Sequence, residues 1–301
     1  MTKEHSTART RDLGRRLSDI RQQAGFTGTL LASGIGASNP SLSKFEAGAR
    51  SMSEVRFIQY LTLCGLRSDD IMPLVELFRL PDNGYYVAGF DGGLLDELIA
   101  LIVHETSAAT IEEYENAVVP GLLQSRDYAR SLYADCAVAT AEVIELWVDR
   151  RMDRQLILEH DTSPRLTFFI GESVLRSIVG DRGVMHDQLM KLQFACDWDN
   201  CSIRVIPAAE YGRTGGPSSF RLMSFADHGP VATQDLITAM AFVEKRHDLA
   251  VYREVLERID RVALSLGQSR ALIASLADEY GRTEAGRGRG AAREVDIVAE
   301  E

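Results

Sequence analysis

The chain has 301 residues, 45% of them hydrophobic and 26% charged, with a formal net charge of −11; that length holds two domains with a real core, in an ordinary globular composition. No run of 18 apolar residues occurs and the first ten residues lack the apolar core of a signal peptide, so a helical membrane span is excluded and a cytoplasmic protein is expected. Cys64, Cys136, Cys196 and Cys201 form no Cys-x-x-Cys and have no His at ligand spacing, so they read as reduced, buried thiols, with no metal and no cofactor expected.

From the N-terminus, Leu13, Leu17, Ile20 and Ala24 fall at i, i+4, i+7 and i+11, which predicts a helix over residues 12–24. Residues 26–50 then read as a short helix, a tight turn and a second short helix. Leu31, Ala32 and Ile35 make an inner face at helical spacing, and Gly36 follows, where positive φ ends a helix. Ser38 is placed to N-cap the next helix, and Pro40 sits in its first turn, where a missing N–H costs nothing. Leu42 and Phe45 point inward, which leaves Asn39, Ser41, Ser43 and Lys44 outside. Ser53 caps a fourth helix carrying Val55, Ile58, Leu61 and Cys64, closed by Gly65. Ser68 caps a fifth with Ile71, Leu74, Val75 and Phe78. Five short helices in this span make one small all-α domain.

A helix with a short, polar and basic outer face fits the major groove of DNA. Asn and Lys bond base edges there, Ser bonds bases or phosphate, and a helix N-terminus favours phosphate. Residues 1–50 hold eight Lys/Arg and four acids, a charge of +4, so the remainder carries −15. The positive charge is concentrated where the recognition helix lies. The alternative reading of the same segment is a helical hairpin that binds protein.

The Ile35-Gly-Ala-Ser38 turn, followed by Ser41-Leu-Ser-Lys-Phe-Glu-Ala-Gly-Ala-Arg50, resembles the phage-repressor-like (Xre) helix-turn-helix family over residues 13–66. Glu46 and Gly48 stand where that family carries Glu-x-Gly. The resemblance implies that residues 39–44 face bases, with Asn39, Ser41 and Lys44 reading sequence beside the Ser38 cap. Thr27, Ser43, Arg50, Arg15 and Arg16 then set register on phosphates. Gly28 departs from the family, which has Gln there; that phosphate contact is missing, and Gly28 and Gly34 each weaken the helix by about 0.5–1 kcal/mol. Because one recognition helix touches few base pairs, a homodimer on two half-sites about 34–36 Å apart is expected.

Residues 81–93 are dense in Pro, Gly, Asn and Asp and read as a linker. Helices are predicted over 94–105, 126–133, 141–158, 172–179, 184–196, 245–266 and 268–280. Strands are predicted over 111–115, 166–170, 202–207, 219–225 and 231–235. Residues 282–301 read as a disordered tail. Tyr211-Gly-Arg-Thr-Gly-Gly-Pro217 is either a plain hairpin connection or a loop over a pocket, with Tyr211, Arg213 and Gly215 as ligand-binding candidates. Enzyme signals are poor. Gly34-Ile-Gly36 follows a helix and lacks the third Gly of a dinucleotide fingerprint, and Gly171-Glu-Ser173 lacks the second Gly of a nucleophile elbow. No catalytic residue is assigned and no enzyme is expected.

Tyr114-Glu-Asn-Ala-Val-Val-Pro-Gly-Leu-Leu-Gln-Ser-Arg-Asp-Tyr-Ala-Arg130 and Arg150-Arg-Met-Asp-Arg-Gln155 resemble segments of the uncharacterised domain behind Xre modules in actinomycete regulators, over about residues 110–275. The resemblance implies an antitoxin-like transcriptional regulator whose gene neighbours one for a small partner protein. The expected fold is mainly α with a smaller α+β part. A five-helix helix-turn-helix domain at 10–80 is followed, after the 81–93 linker, by a regulatory, dimerising or partner-binding domain at 94–280 with a small, mostly antiparallel sheet. The expected function is a sequence-specific DNA-binding transcriptional regulator, nucleoid-associated when bound to a double-stranded operator. The alternative is an antitoxin-like protein that sequesters a small basic partner, with DNA binding as autoregulation.

Overall fold

Helices form where a capping residue precedes an apolar stripe, and strands where β-branched and aromatic residues run together. The computed structural model describes residues 6–89, 94–136, 139–159 and 163–291, without the side chains of 94–99, 136, 159 and 283–291. In chain order the elements are α1 (Ala8–Gln23), α2 (Gly28–Gly34), α3 (Asn39–Glu46), α4 (Glu54–Leu63), α5 (Ser68–Arg79), β1 (Tyr85–Gly89), α6 (Leu94–Ser107) and β2 (Thr110–Glu115). There follow α7 (Arg126–Cys136), α8 (Ala141–Gln155), β3 (Arg165–Gly171), α9 (Glu172–Arg176), α10 (Arg182–Ala195), β4 (Cys201–Ile206) and α11 (Tyr211–Thr214). The last are β5 (Phe220–Ser224), β6 (Val231–Asp235), β7 (Ala239–Val243), α12 (Arg246–Val262) and α13 (Leu266–Ala291). The chain divides into two units, Met1–Ser107 with Ser224–Ala250, and Ala108–Met223 with Val251–Glu301.

In the first unit, α1 to α5 close over a core of Leu13, Leu17, Leu31, Ala32, Ile35, Leu42, Phe57, Tyr60, Leu61, Ile71 and Val75. Thr7, Thr27, Ser38 and Ser53 cap the first four helices through their side chains. The fifth differs from expectation: Ser68 is its first residue, and Arg67 takes the cap position without a side-chain bond. The stretch expected to be a bare linker contains β1, which pairs antiparallel with β7, Tyr85 opposite Val243 and Gly89 opposite Ala239; residues 90–93 lie outside the described residues. β7 pairs antiparallel with β6 in turn.

Polar groups tie α1 to the rest of this unit. Glu244, just after β7, accepts from the Ala8 N–H and from Arg11 Nη2, both at 2.7 Å. Arg11 Nε donates to His104 Nε2 at 3.2 Å, and His104 Nδ1 lies 2.6 Å from the Ala100 carbonyl. These bonds fix the neutral tautomer with the proton on Nδ1. Burial and the Arg11 charge push the His104 pKa down to about 3.

The second unit holds the strand order β5-β2-β3-β4. β2, β3 and β4 are parallel, with Ile111 opposite Leu166, and Leu166 opposite Cys201. The expectation of a small, mostly antiparallel sheet is therefore corrected: seven strands form among the described residues, and their pairing is mixed. The reason is the connections. Each of the β2–β3 and β3–β4 links contains helices, and a strand that returns through a helix lies parallel to the one it left. α13 runs past residue 282 to Ala291, beyond the point at which the tail was expected to begin. Extending an existing helix needs no new nucleus, so Thr283-Glu-Ala285 continues it. Residues 292–301 lie outside the described residues.

Cys64 and Cys196 are half-buried and Cys201 is buried, all as free thiols; the side chain of Cys136 lies outside the described residues. No described helix is long and apolar enough to cross a membrane.

Candidate nucleic-acid interface

α2 starts where Thr27 Oγ1 accepts from the Leu30 N–H at 3.3 Å. It stops at a glycine turn: Gly36 has φ 63°, its N–H reaches Ser33 O at 3.2 Å, and the Ala37 N–H reaches Ala32 O at 2.8 Å. α3 starts two residues later, with Ser38 Oγ accepting from the Ser41 N–H at 3.3 Å. Leu42 and Phe45 are buried beneath it, so its other face is left to solvent.

On that face Asn39, Ser43 and Lys44 are exposed, as are Thr27, Ser38 and Arg50. Ser41 is half-buried, and its Oγ already accepts from Ser38 Oγ at 2.9 Å. Gly28 has a local purpose: a Cβ there would lie 2.8 Å from Asn39 Oδ1. The helix gives up a better former so that the Asn39 carboxamide can rest against its first turn. A Cβ on Gly34 would likewise meet Leu63 at 2.9 Å.

Glu46 and Gly48 hold the recognition helix on its scaffold. Arg21 donates to the Glu46 carboxylate from Nε at 2.7 Å and from Nη2 at 2.8 Å. The Tyr60 hydroxyl lies 2.7 Å from both Glu46 Oε1 and the Leu17 carbonyl. Burial and the Glu46 charge push the Tyr60 pKa far above its ordinary value. Gly48 has φ 65°, and a Cβ there would lie 2.5 Å from Arg11 N and Thr10 O. Gly14 lets α1 cross the end of α3 at backbone distance, since its Cβ would fall 2.5 Å from Glu46 O.

Part of the basic surplus at the N-terminus is paired with acids of the same chain. Arg11 pairs with Glu244, Arg15 with Asp19, Arg16 with the buried Asp12, and Arg21 with Glu46. Arg15 is exposed and Arg16 half-buried, so both reach phosphate only in competition with these acids. Among the described residues Lys44 has no acidic partner. Arg56, which sequence reasoning did not single out, joins the face by donating from Nη2 to the Gly36 carbonyl at 3.1 Å. Its position at the third residue of α4, beside a turn only later fixed in space, gave no periodic signal.

The three ligand candidates lie in the second unit. Tyr211 and Arg213 sit on α11, and Gly215 ends it with φ 88°. Tyr211 Oη accepts from Asn116 Nδ2 at 2.9 Å, and Arg213 Nη1 pairs with Glu210 at 2.7 Å. The segment is a short helix and turn. None of the three lines the open groove of about 660 Å³ in that unit, whose walls include Glu112, Thr167, Phe169, Arg253 and Asp260.

Comparison with known families agrees with this division of labour. A helix-turn-helix domain matches residues 12–73, the segment that carries α2, the turn and α3. A domain of unknown function (DUF5753) matches residues 98–275. No curated protein matches the chain. The helix-turn-helix match supports a DNA-binding regulator, and, because the second match spans more than half of its length, the protein belongs to the DUF5753 family, with a helix-turn-helix domain at its head.

Proposed function

We propose that the protein is a sequence-specific transcriptional regulator that binds a double-stranded operator as a homodimer, in the manner of Xre-type repressors. The observation that carries this is the outer face of α3. Asn39, Ser43 and Lys44 stand exposed on a helix clamped from behind by Leu42, Phe45 and the Glu46 anchor. A rigid helix with Asn and Lys outward reads base edges, and its capped N-terminus accepts phosphate. Two copies supply the two half-sites that useful specificity needs. The second domain senses a ligand or docks a small partner protein, and it performs no catalysis. The −15 charge after residue 50 favours a basic partner, which gives the antitoxin-like reading its footing.

The test is an anisotropy titration of the full chain against the DNA upstream of its own gene, with a scrambled duplex as competitor. Lys44→Ala weakens operator binding well beyond Arg165→Ala, an exposed arginine on β3. Equal binding by both variants, or equal competition by scrambled DNA, rejects the operator reading.

A further inference from the structure

Residues 119–130 and 150–155, parts of the segments 114–130 and 150–155 behind the second resemblance, meet inside the second unit, and DNA reading makes no use of them. The one-turn helix Gly121–Leu123 and the following Gln124 are held by side chains from α8 and α10. Gln155 Nε2 donates to the carbonyls of Gly121 and Gln124, both at 2.9 Å. Gln188 Nε2 donates to Leu123 O at 2.8 Å, and its Oε1 accepts from the Ser125 N–H at 2.7 Å. Gln124 Nε2 donates to Val119 O at 2.7 Å. These neutral amides satisfy the turn without any charge.

Two cations are nevertheless built into it. Arg151 Nη1 donates to Gln124 Oε1 at 2.6 Å. Lys191 Nζ donates to Gln124 O at 2.9 Å and to Gln155 Oε1 at 2.7 Å. All of these acceptors are neutral, and among the described residues neither cation meets a carboxylate. Arg221 nearby shows the contrast: its Nε holds Glu113 at 3.0 Å, and Glu115 lies 3.9 Å away.

The charges nearest Arg151 carry its own sign. Burial presses its pKa down and the Arg154 and Arg221 charges add to this, against the neighbouring Tyr133, which raises it; burial likewise lowers the pKa of Lys191. The guanidinium groups of Arg154 and Arg151 close on the same glycine, 3.1 and 3.6 Å from where a Gly121 Cβ would stand. Arg151 Nε is buried without a partner, and so is the hydroxyl of Tyr133, whose ring centroid lies 4.9 Å from the guanidinium carbon. Trp147 borders Tyr133 edge-on, with ring centroids 5.5 Å apart. Arg151 and Lys191 are half-buried cations without a carboxylate partner, which is costly, and the buried orphaned donors add to the cost; an anion removes both penalties at once.

We propose that Arg151 Nε and the Tyr133 hydroxyl form a binding site for a small oxyanion, a carboxylate or a phosphate group, with Lys191 and Arg154 supplying further positive charge and Trp147 an aromatic edge for the ligand body. A guanidinium fork matches either group in two parallel bonds. The site names a ligand class for the sensing role of the second domain, and rests on that role only for its effect on DNA.

The chain has two tryptophans, so a Trp198→Phe background leaves Trp147 as the sole reporter. The full chain is titrated with inorganic phosphate and, separately, with benzoate, with ionic strength held constant by chloride. The expected result is a saturable change in Trp147 emission, together with a higher Tm, for at least one anion; the stronger of the two identifies the oxyanion. Arg151→Met raises the half-saturation concentration by about tenfold or more, and its Tm in anion-free buffer is unchanged or higher, because an uncompensated charge has gone. Tyr133→Phe, which loses only the orphaned hydroxyl, also weakens binding. Absence of a saturable response to either anion, or an identical response in Arg151→Met and Tyr133→Phe, overturns the site. Operator titrations with and without the better anion then test the sensor separately: a fluorescence response with unchanged operator affinity keeps the site and rejects the sensing role.

Discussion

Changing Glu46 to Gln keeps the shape of the side chain and removes the charge that Arg21 grips with two bonds, at 2.7 and 2.8 Å. The Arg21 and Glu46 side chains are 14% and 12% exposed, so the variant strands a nearly buried guanidinium. Breaking a fully buried pair costs roughly 3–5 kcal/mol. The remaining exposure, and the one acceptor that Gln keeps, reduce this to about 2–3 kcal/mol. Hydrogen exchange on the full chain is the suitable assay, because it resolves opening element by element. Amides of α3 and α4 lose roughly 30- to 150-fold protection, while those of α10, in the other unit, keep theirs. Tyr60→Phe alone costs about 1–2 kcal/mol, since the Leu17 carbonyl loses its hydroxyl. The double variant falls short of the sum, because both changes act on one cluster. A Glu46→Gln loss below about 0.5 kcal/mol, or an equal loss in α10, refutes the anchoring role of the carboxylate.

Gly48→Ala lowers the Tm far more than Gly25→Ala. Both need positive φ, but a Cβ at Gly48 meets backbone at 2.5 Å and one at Gly25 meets nothing within 4 Å; equal shifts refute the packing argument. Stability falls in acid through His104. Its folded pKa is pushed down to about 3 from the ordinary 6.5, so the unfolded chain binds more protons between those values. Stability is therefore complete above 6.5 and declines as pH drops toward 3, with up to about 2 kcal/mol lost at pH 5. His104→Gln flattens this part of a urea-midpoint profile, and an unchanged profile contradicts the assignment. In the salt dependence of operator binding, Lys44→Ala lowers the slope by about 0.9 per protomer. Arg16→Ala, whose guanidinium is held by Asp12, lowers it by clearly less; equal slopes overturn that distinction.

The reading helix was legible because every local signal for it lies within a few residues. Ser38, Pro40, Leu42, Phe45 and Gly48 specify cap, first turn, buried face and exit without distant partners, and the structure places each as the spacing demands. The anchor was not legible. Arg21, Glu46 and Tyr60 come from three helices, and no periodicity says that their tips converge. A count of basic residues likewise does not tell exposed from buried charge: Arg50 is exposed, whereas Arg11 is buried and paired with Glu244. In the second unit the strands over 166–170 and 202–207 are legible from their composition, but their parallel direction is set by the crossover helices between them, which strand patterning does not report. β1 and β7 were missed for opposite reasons. β1 sits in a Gly- and Asn-rich stretch that looks like a linker, whereas β7, Ala239-Met-Ala-Phe-Val243, shows no alternation to separate it from a helix start.

Domain boundaries in sequence and in packing need not coincide, and here they do not. The helix-turn-helix match ends at residue 73, yet the compact unit that contains it also takes in α6, β6 and β7. The reason lies in a few polar groups on α1. Arg11 is buried and Asp12 is fully buried; a charged group in that position must be satisfied or the helix cannot stay. Arg16, on the same helix, holds Asp12, but further partners come from outside the five helices: Glu244 and His104 for Arg11, and the Tyr86 hydroxyl for Asp12. The same Glu244 carboxylate sits at the N-terminus of α1, where it also meets the positive end of the helix dipole. α1 in turn touches the end of α3 through Gly14, backbone to backbone. A continuous line of contacts thus runs from residues of the family of unknown function, through α1, to α3. The helix-turn-helix is one part of a larger compact unit, and α1, which packs on α3, is itself held by a side chain more than two hundred residues away in the chain.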